Sequence, residues 1–109
     1  MAFSLDSKPP LAYAAIYKPG RHWVERLPLL SQPYLADHFE YVTSLHRIGA
    51  SHILLGGPFE DRPGALMISR APSLEAAWAF VEADPVVRQG VVQVEIRPLR
   101  LSLAALEAI

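Results

Sequence analysis

The hydrophobic positions of this chain fall into blocks whose spacing changes character along the sequence. "LAYAAIYK" (11–18) is apolar on both alternating faces and stops at Pro19-Gly20. That is the pattern of a strand covered on both sides. "RHWVERLPLLSQP" (21–33) has no clear period and is broken by Pro28 and Pro33; loops of this length in small domains are often functional. From Ser31 to Gly49 the period becomes helical. Tyr34, Leu35, Phe39, Tyr41, Val42, Leu45 and Ile48 share one arc, with Ala36, Asp37, Glu40, Thr43, Ser44 and Arg47 opposite. Ser31 is the expected N-cap, Pro33 suits the first turn, and Gly49 is the expected stop.

"SHILLGGPF" (51–59) and "ALMISR" (65–70) flank the turn sequence "EDRPG" and predict a hairpin, with a bulge or irregular end at Gly56-Gly57-Pro58. "PSLEAAWAFVEAD" (72–84) predicts a second amphipathic helix, with Ser73 as cap, Glu75 in the first turn, and Leu74, Ala77, Trp78 and Val81 as its core stripe. "VVQVEIRP" (91–98) alternates as a strand. One position is out of place in this scheme. Asp84 puts a carboxylate at a helix C-terminus, where the partial charge is negative and an acid is unwelcome.

The order is βαββαβ. With right-handed crossovers it predicts an α+β, ferredoxin-like subunit: a four-stranded antiparallel sheet with two helices on one face. The central strands are too apolar to leave the other face in water, so a homodimer with sheets packed face to face is expected. The 109 residues suit one core. A flexible lead-in is expected over 1–10, the domain over 11–100, and a tail over 101–109 that adds a short strand or helical cap.

Composition narrows the classes. Hydrophobic residues make up 51% and charged ones 19%, with net charge -1 and no basic stripe, so nucleic acid is not an expected partner. No apolar run reaches the about 18 residues of a membrane span, and the first ten residues lack a signal core, which points to the cytoplasm. The absence of cysteine excludes disulfides and thiolate chemistry. The four histidines include no helical i, i+4 pair, so no metal site is expected.

His38 carries the candidate chemistry because it lies near the middle of the apolar arc, flanked by Leu35, Val42 and Leu45. An imidazole aimed into a core needs partners for its nitrogens, and Asp84 is the candidate. A carboxylate on one nitrogen fixes the tautomer and leaves the other for proton transfer. Asp84-Pro85 also reads as the N-cap of a short turn ended by Gly90, and the two roles are compatible. The pair equally reads as a buried polar contact that only fixes helix packing. His46 reads as structural or partner-facing, and His52 as exposed or at a strand edge. Tyr13 and Tyr17 on the first strand, Arg21, His22 and Trp23 in the following loop, and Pro58 are candidate pocket residues, although each also reads as ordinary surface or sheet-face structure.

"DH" at 37–38, Gly49 eleven residues beyond that histidine, "GGPF" at 56–59, "SLEAAWAFVEADPVVRQGVV" at 73–92 and "VEIRPL" at 94–99 together resemble the YCII-related family. The resemblance covers most of residues 11–100. It implies a subunit of a dimeric α+β barrel and maps the family's recurrent histidine and aspartate onto His38 and Asp84. It also implies an enzymatic role, with a relative linked to dechlorination of a hydroxylated aromatic. The chain departs from the family in its Pro-rich loop, its short hairpin turn at 60–64 and its tail, all of which would shape a pocket mouth. The expected function is a cofactor-independent acid/base enzyme of lyase or isomerase type acting on a small, aromatic-like substrate. A non-catalytic binding or accessory module of the same fold is the alternative.

Overall fold

In a computed structural model, which describes residues 9–47 and 52–103, the chain forms β1 (Leu11–Pro19), α1 (Leu35–Arg47), β2 (His52–Pro58), β3 (Ala65–Arg70), α2 (Leu74–Glu82), α3 (Pro85–Arg88) and β4 (Val92–Arg100). The strands pair antiparallel throughout in the order β2-β3-β1-β4. This is the ferredoxin-like α+β layout, with β3 threaded between the two strands that α1 connects. The short turn expected between the second helix and the last strand is itself helical. A third helix, α3, occupies a single turn between α2 and β4.

Strand register explains where the core sits. Ala15 lies between Met67 and Ile96, and Tyr17 between Ala65 and Val94, so these side chains share the face covered by the helices. Tyr13, Ala15 and Tyr17 are buried there against Met67, Val81, Val86 and Ile96. Ala12, Ala14 and Ile16 alternate onto the other face, beside Ile68 and Leu55. Among the described residues, no helix is long and apolar enough to cross a membrane.

α2 begins as its sequence demands: Ser73 Oγ accepts from Ala76 N at 3.0 Å, leaving Ala77 and Val81 buried. It ends at Glu82, two residues short of the expected Asp84, because a residue before proline is pushed out of the α region. Asp84 accordingly has φ -68 and ψ 126. α1 starts at Leu35, not after a Ser31 cap. Residues Leu29–Ser31 form a separate 3-10 turn, and Tyr34 takes a positive φ of 68. The cause is Gln32, whose side chain is spent on the preceding loop. Its Oε1 accepts from Val24 N at 2.9 Å, and its Nε2 donates to Val24 O at 2.7 Å and Leu27 O at 2.8 Å. The expected stop at Gly49 lies outside the described residues.

The hairpin forms as expected, but its irregularity falls between Ile53 and Leu55, while Gly56 and Gly57 keep their pairing with Met67 and Leu66. Gly64 closes the turn at φ 123, and a Cβ there would meet Tyr17 O at 2.3 Å. Only glycine fits this approach. β4 continues to Arg100, past the expected end at Pro98, by pairing Arg100 with Leu11. Residues 1–8 of the expected lead-in and 104–109 of the tail lie outside the described residues.

Candidate functional site

His38 stands in the first turn of α1, one turn after buried Leu35, and so points its ring toward the sheet. Its Nδ1 lies 2.5 Å from Asp84 Oδ2. The ring is 19% exposed and the carboxylate 1%. Asp84 is held from two sides, since its Oδ1 accepts from Val86 N at 3.2 Å as the N-cap of α3. Its backbone carbonyl accepts from Val87 N and Arg88 N. The apparent misplacement of this acid therefore disappears. α2 is already closed by Ala83, and Asp84 opens the next helix, where backbone N–H groups need an acceptor.

This arrangement fixes a tautomer. A carboxylate can only accept, so the hydrogen bond requires a proton on Nδ1. In the neutral ring Nε2, on the opposite side, then carries a lone pair. His38 lines a cavity of about 280 Å³ between α1 and the sheet. Tyr17, Val86 and Met67 line its floor and walls; Leu29, Leu30 and Phe39 line the side toward solvent, with Leu30 and Phe39 largely exposed.

Tyr17 approaches His38 edge-on, with ring centroids 6.2 Å apart and planes at 70°. Its hydroxyl is buried and has no hydrogen-bond partner among the described residues. Burial, the Asp84 charge and nearby Tyr41 all push the Tyr17 phenol well above its ordinary range, so it stays protonated. Burial and the Asp84 charge also raise Tyr41, whose hydroxyl donates to Phe80 O at 2.7 Å and ties α1 to α2.

Of the residues singled out from sequence, His38, Tyr17 and Pro58 line the cavity, with Asp84 directly behind His38. Tyr13 faces the same side of the sheet but is sealed in the core at 4% exposure, four residues along β1. Arg21 and His22 are exposed. His22 Nδ1 donates to Gln89 O at 2.9 Å, and its backbone N–H donates to Gly90 O. Trp23 packs on the core edge. The loop after β1 is thus drawn to the α3–β4 turn and to Gln32, and these three residues do not reach the cavity. The side chains of His46 and His52 lie outside the described residues. Gln32, Tyr41 and the Leu29-Leu30 pair were not anticipated; an apolar pair set between Pro28 and Pro33 was the signal for the last. Among the described residues, no group of three or more histidine and carboxylate side chains gathers anywhere.

Residues 15–100 match the family model of the YCII-related domain. The chain belongs to this family. Within it, the chain is 30% identical over 76 residues to the uncharacterized protein YjpA of Bacillus subtilis (strain 168), covering 70% of this chain and 87% of that protein. Among solved structures it is similar to 5-chloro-2-hydroxyhydroquinone dehydrochlorinase (TftG) of Burkholderia phenoliruptrix AC1100 in complex with 2,5-dihydroxybenzoquinone. The TM-score is 0.52 and the identity 23%, covering 78% of this chain and 90% of that one. At that identity the likeness bears on the fold of this YCII-related protein.

Proposed function

We propose that this YCII-related protein is a small-molecule enzyme in which His38 is the general acid/base and Asp84 its orienting partner. The observation that carries this reading is the 2.5 Å contact between His38 Nδ1 and Asp84 Oδ2 at the wall of an open cavity. Nε2 takes a proton from an O–H or acidified C–H of the substrate. The imidazolium formed is stabilised by Asp84, and the negative charge left on the substrate is delocalised or expels a leaving group. Return of the proton to another atom gives isomerisation; departure of the leaving group gives elimination. The dehydrochlorinase activity named for the structurally similar protein is of the second type. No step requires a cofactor.

The protomer associates through the uncovered sheet face, where Ala14, Ile16, Leu55 and Ile68 present apolar side chains that a second copy would cover.

The test is a turnover screen with hydroxylated and halogenated monocyclic compounds, followed by His38→Gln and Asp84→Asn variants on any substrate found. Each variant is expected to lower kcat/KM by about 10²–10⁴-fold, the usual contribution of general acid/base catalysis, while the fold is retained. Asparagine keeps the cap of α3 but no longer stabilises the cation. Unchanged turnover in His38→Gln would refute the catalytic role. Binding without turnover in the wild type, with modest loss in His38→Gln, would identify a binding module.

A further inference from the structure

We propose that the cavity takes an uncharged, largely apolar ligand the size of a single substituted ring and turns away ions of either sign. This inference rests on the reading of the cavity as a small-molecule site and adds to it the charge and size of the ligand.

The first observation is what the wall is made of. Val42, Ile53, Met67 and Val86 are typical of it, and among the described residues no Lys, Arg, Asp or Glu side chain lines the cavity. Tyr17 presents ring carbon there, because its hydroxyl is sealed within the protein. His38 is thus the one polar side chain that a ligand meets among the described residues. At the entrance Leu30 and Phe39 stand largely exposed, and their carbon surface is what a ligand of the same character would cover.

The second observation is that no charge of either sign is on offer. The hydrogen-bonded pair of His38 and Asp84 is neutral when it holds the extra proton and carries one negative charge when it does not. In neither state does it give an anion a net positive partner. Asp84 is 1% exposed and does not line the cavity, so its carboxylate is no counter-ion for a cation inside. Backbone donors at the helix starts are spent as well. Leu35 N–H donates to Gln32 O at 3.4 Å and His38 N–H to Tyr34 O at 2.9 Å, while Val86 N–H donates to Asp84 Oδ1 at 3.2 Å. A carboxylate, phosphate or ammonium group entering here would lose its hydration with nothing of opposite charge to replace it.

Size agrees with a single ring. An apolar cavity of about 150 Å³ already accepts benzene, and about 280 Å³ leaves room for a few substituents. The charge rule also bears on the proton transfer. A substrate enters uncharged, and negative charge arises on it only inside, after its proton has passed to His38 and the pair has become neutral. Compounds already ionised in solution are excluded before that step.

Titration calorimetry on the wild-type protein compares three rings of similar size and different charge: benzyl alcohol, benzoate and benzylammonium. Benzyl alcohol is expected to bind, and each ion to bind at least about tenfold more weakly. Val42→Phe, which fills the cavity from α1, is expected to weaken benzyl alcohol at least about tenfold by steric exclusion. Ala65→Leu fills it from β3 and takes the place of the first variant where that does not fold. Equal affinity for either ion overturns the charge rule. Full benzyl alcohol affinity in a filled variant with the circular dichroism of the wild type overturns the placing of the ligand. Failure of benzyl alcohol to bind the wild type overturns the ligand class. The catalytic reading is judged separately, by His38→Gln on a substrate from the turnover screen, so the two failures are distinguishable.

Discussion

At the scale of the residue, the site is built from side chains that each serve more than one partner. Asp84 is both the acceptor for His38 and the cap of α3, so the same two backbone helices that flank it also fix its direction. Tyr17 gives a prediction that needs no substrate. Below its ordinary value of 10.0 the phenol is neutral in folded and unfolded chains alike. Above that pH the unfolded chain releases the proton while the folded one retains it, so stability falls as pH rises. The loss specific to this residue is about 1.4 kcal/mol per pH unit until the folded phenol itself ionises. Urea titrations between neutral and strongly alkaline pH should show a steeper decline for the wild type than for Tyr17→Phe. Equal slopes would mean that the phenol is not sealed. His38 and Asp84 were legible in the sequence, because helical spacing aims the histidine inward and Asp-Pro marks a chain reversal. The unsatisfied Tyr17 hydroxyl was not. Its state depends on which atoms three other elements bring within reach, and no local pattern encodes that.

Elements show a similar division. Periodicity and punctuation identified all four strands, the hairpin and both longer helices, since alternation and helical spacing are local properties of the chain. Boundaries moved where a single side chain overrode them. Ser31 is a good N-cap by type, yet the helix begins later because Gln32 bonds backward to Val24 and Leu27. Such a non-local use of glutamine has no signature in propensity. Gln32 is 4% exposed, and its three bonds fold the loop that carries Leu29 and Leu30 onto the cavity. Gln32→Ala should therefore cost about 1–3 kcal/mol in chemical denaturation. Affinity for any compound found to bind in the screen should fall with it, because that wall loses its support. A variant that is destabilised but binds normally would show that the loop does not shape the site.

The whole molecule separates two functions by side of the sheet: the cavity lies under the helices, and the proposed assembly surface lies on the reverse. The sequence already exposed this, because β1 is apolar at consecutive positions and not at alternate ones. What it left out was the asymmetry of the reverse face, where β4 contributes the exposed polar residues Gln93, Glu95 and Arg97 beside the apolar β1 and β3. Light scattering should find a particle of two 12.0 kDa chains for the wild type. Ile68→Asp, which places a charge in the apolar half of that face, should give a single chain with its secondary structure intact. A wild type that is already monomeric would remove the assembly proposal without touching the cavity.

The nine residues of β1 thus behave as two messages written in alternate letters. Tyr13, Ala15 and Tyr17 speak to the helix layer, and Ala14 and Ile16 to whatever covers the sheet. Point substitutions edit one message at a time, which lets chemistry and assembly drift independently within a lineage. A single-codon insertion in this strand exchanges both messages at once, moving a tyrosine outward and an isoleucine into its place. Gain or loss of codons in pairs is the only length change that leaves both legible.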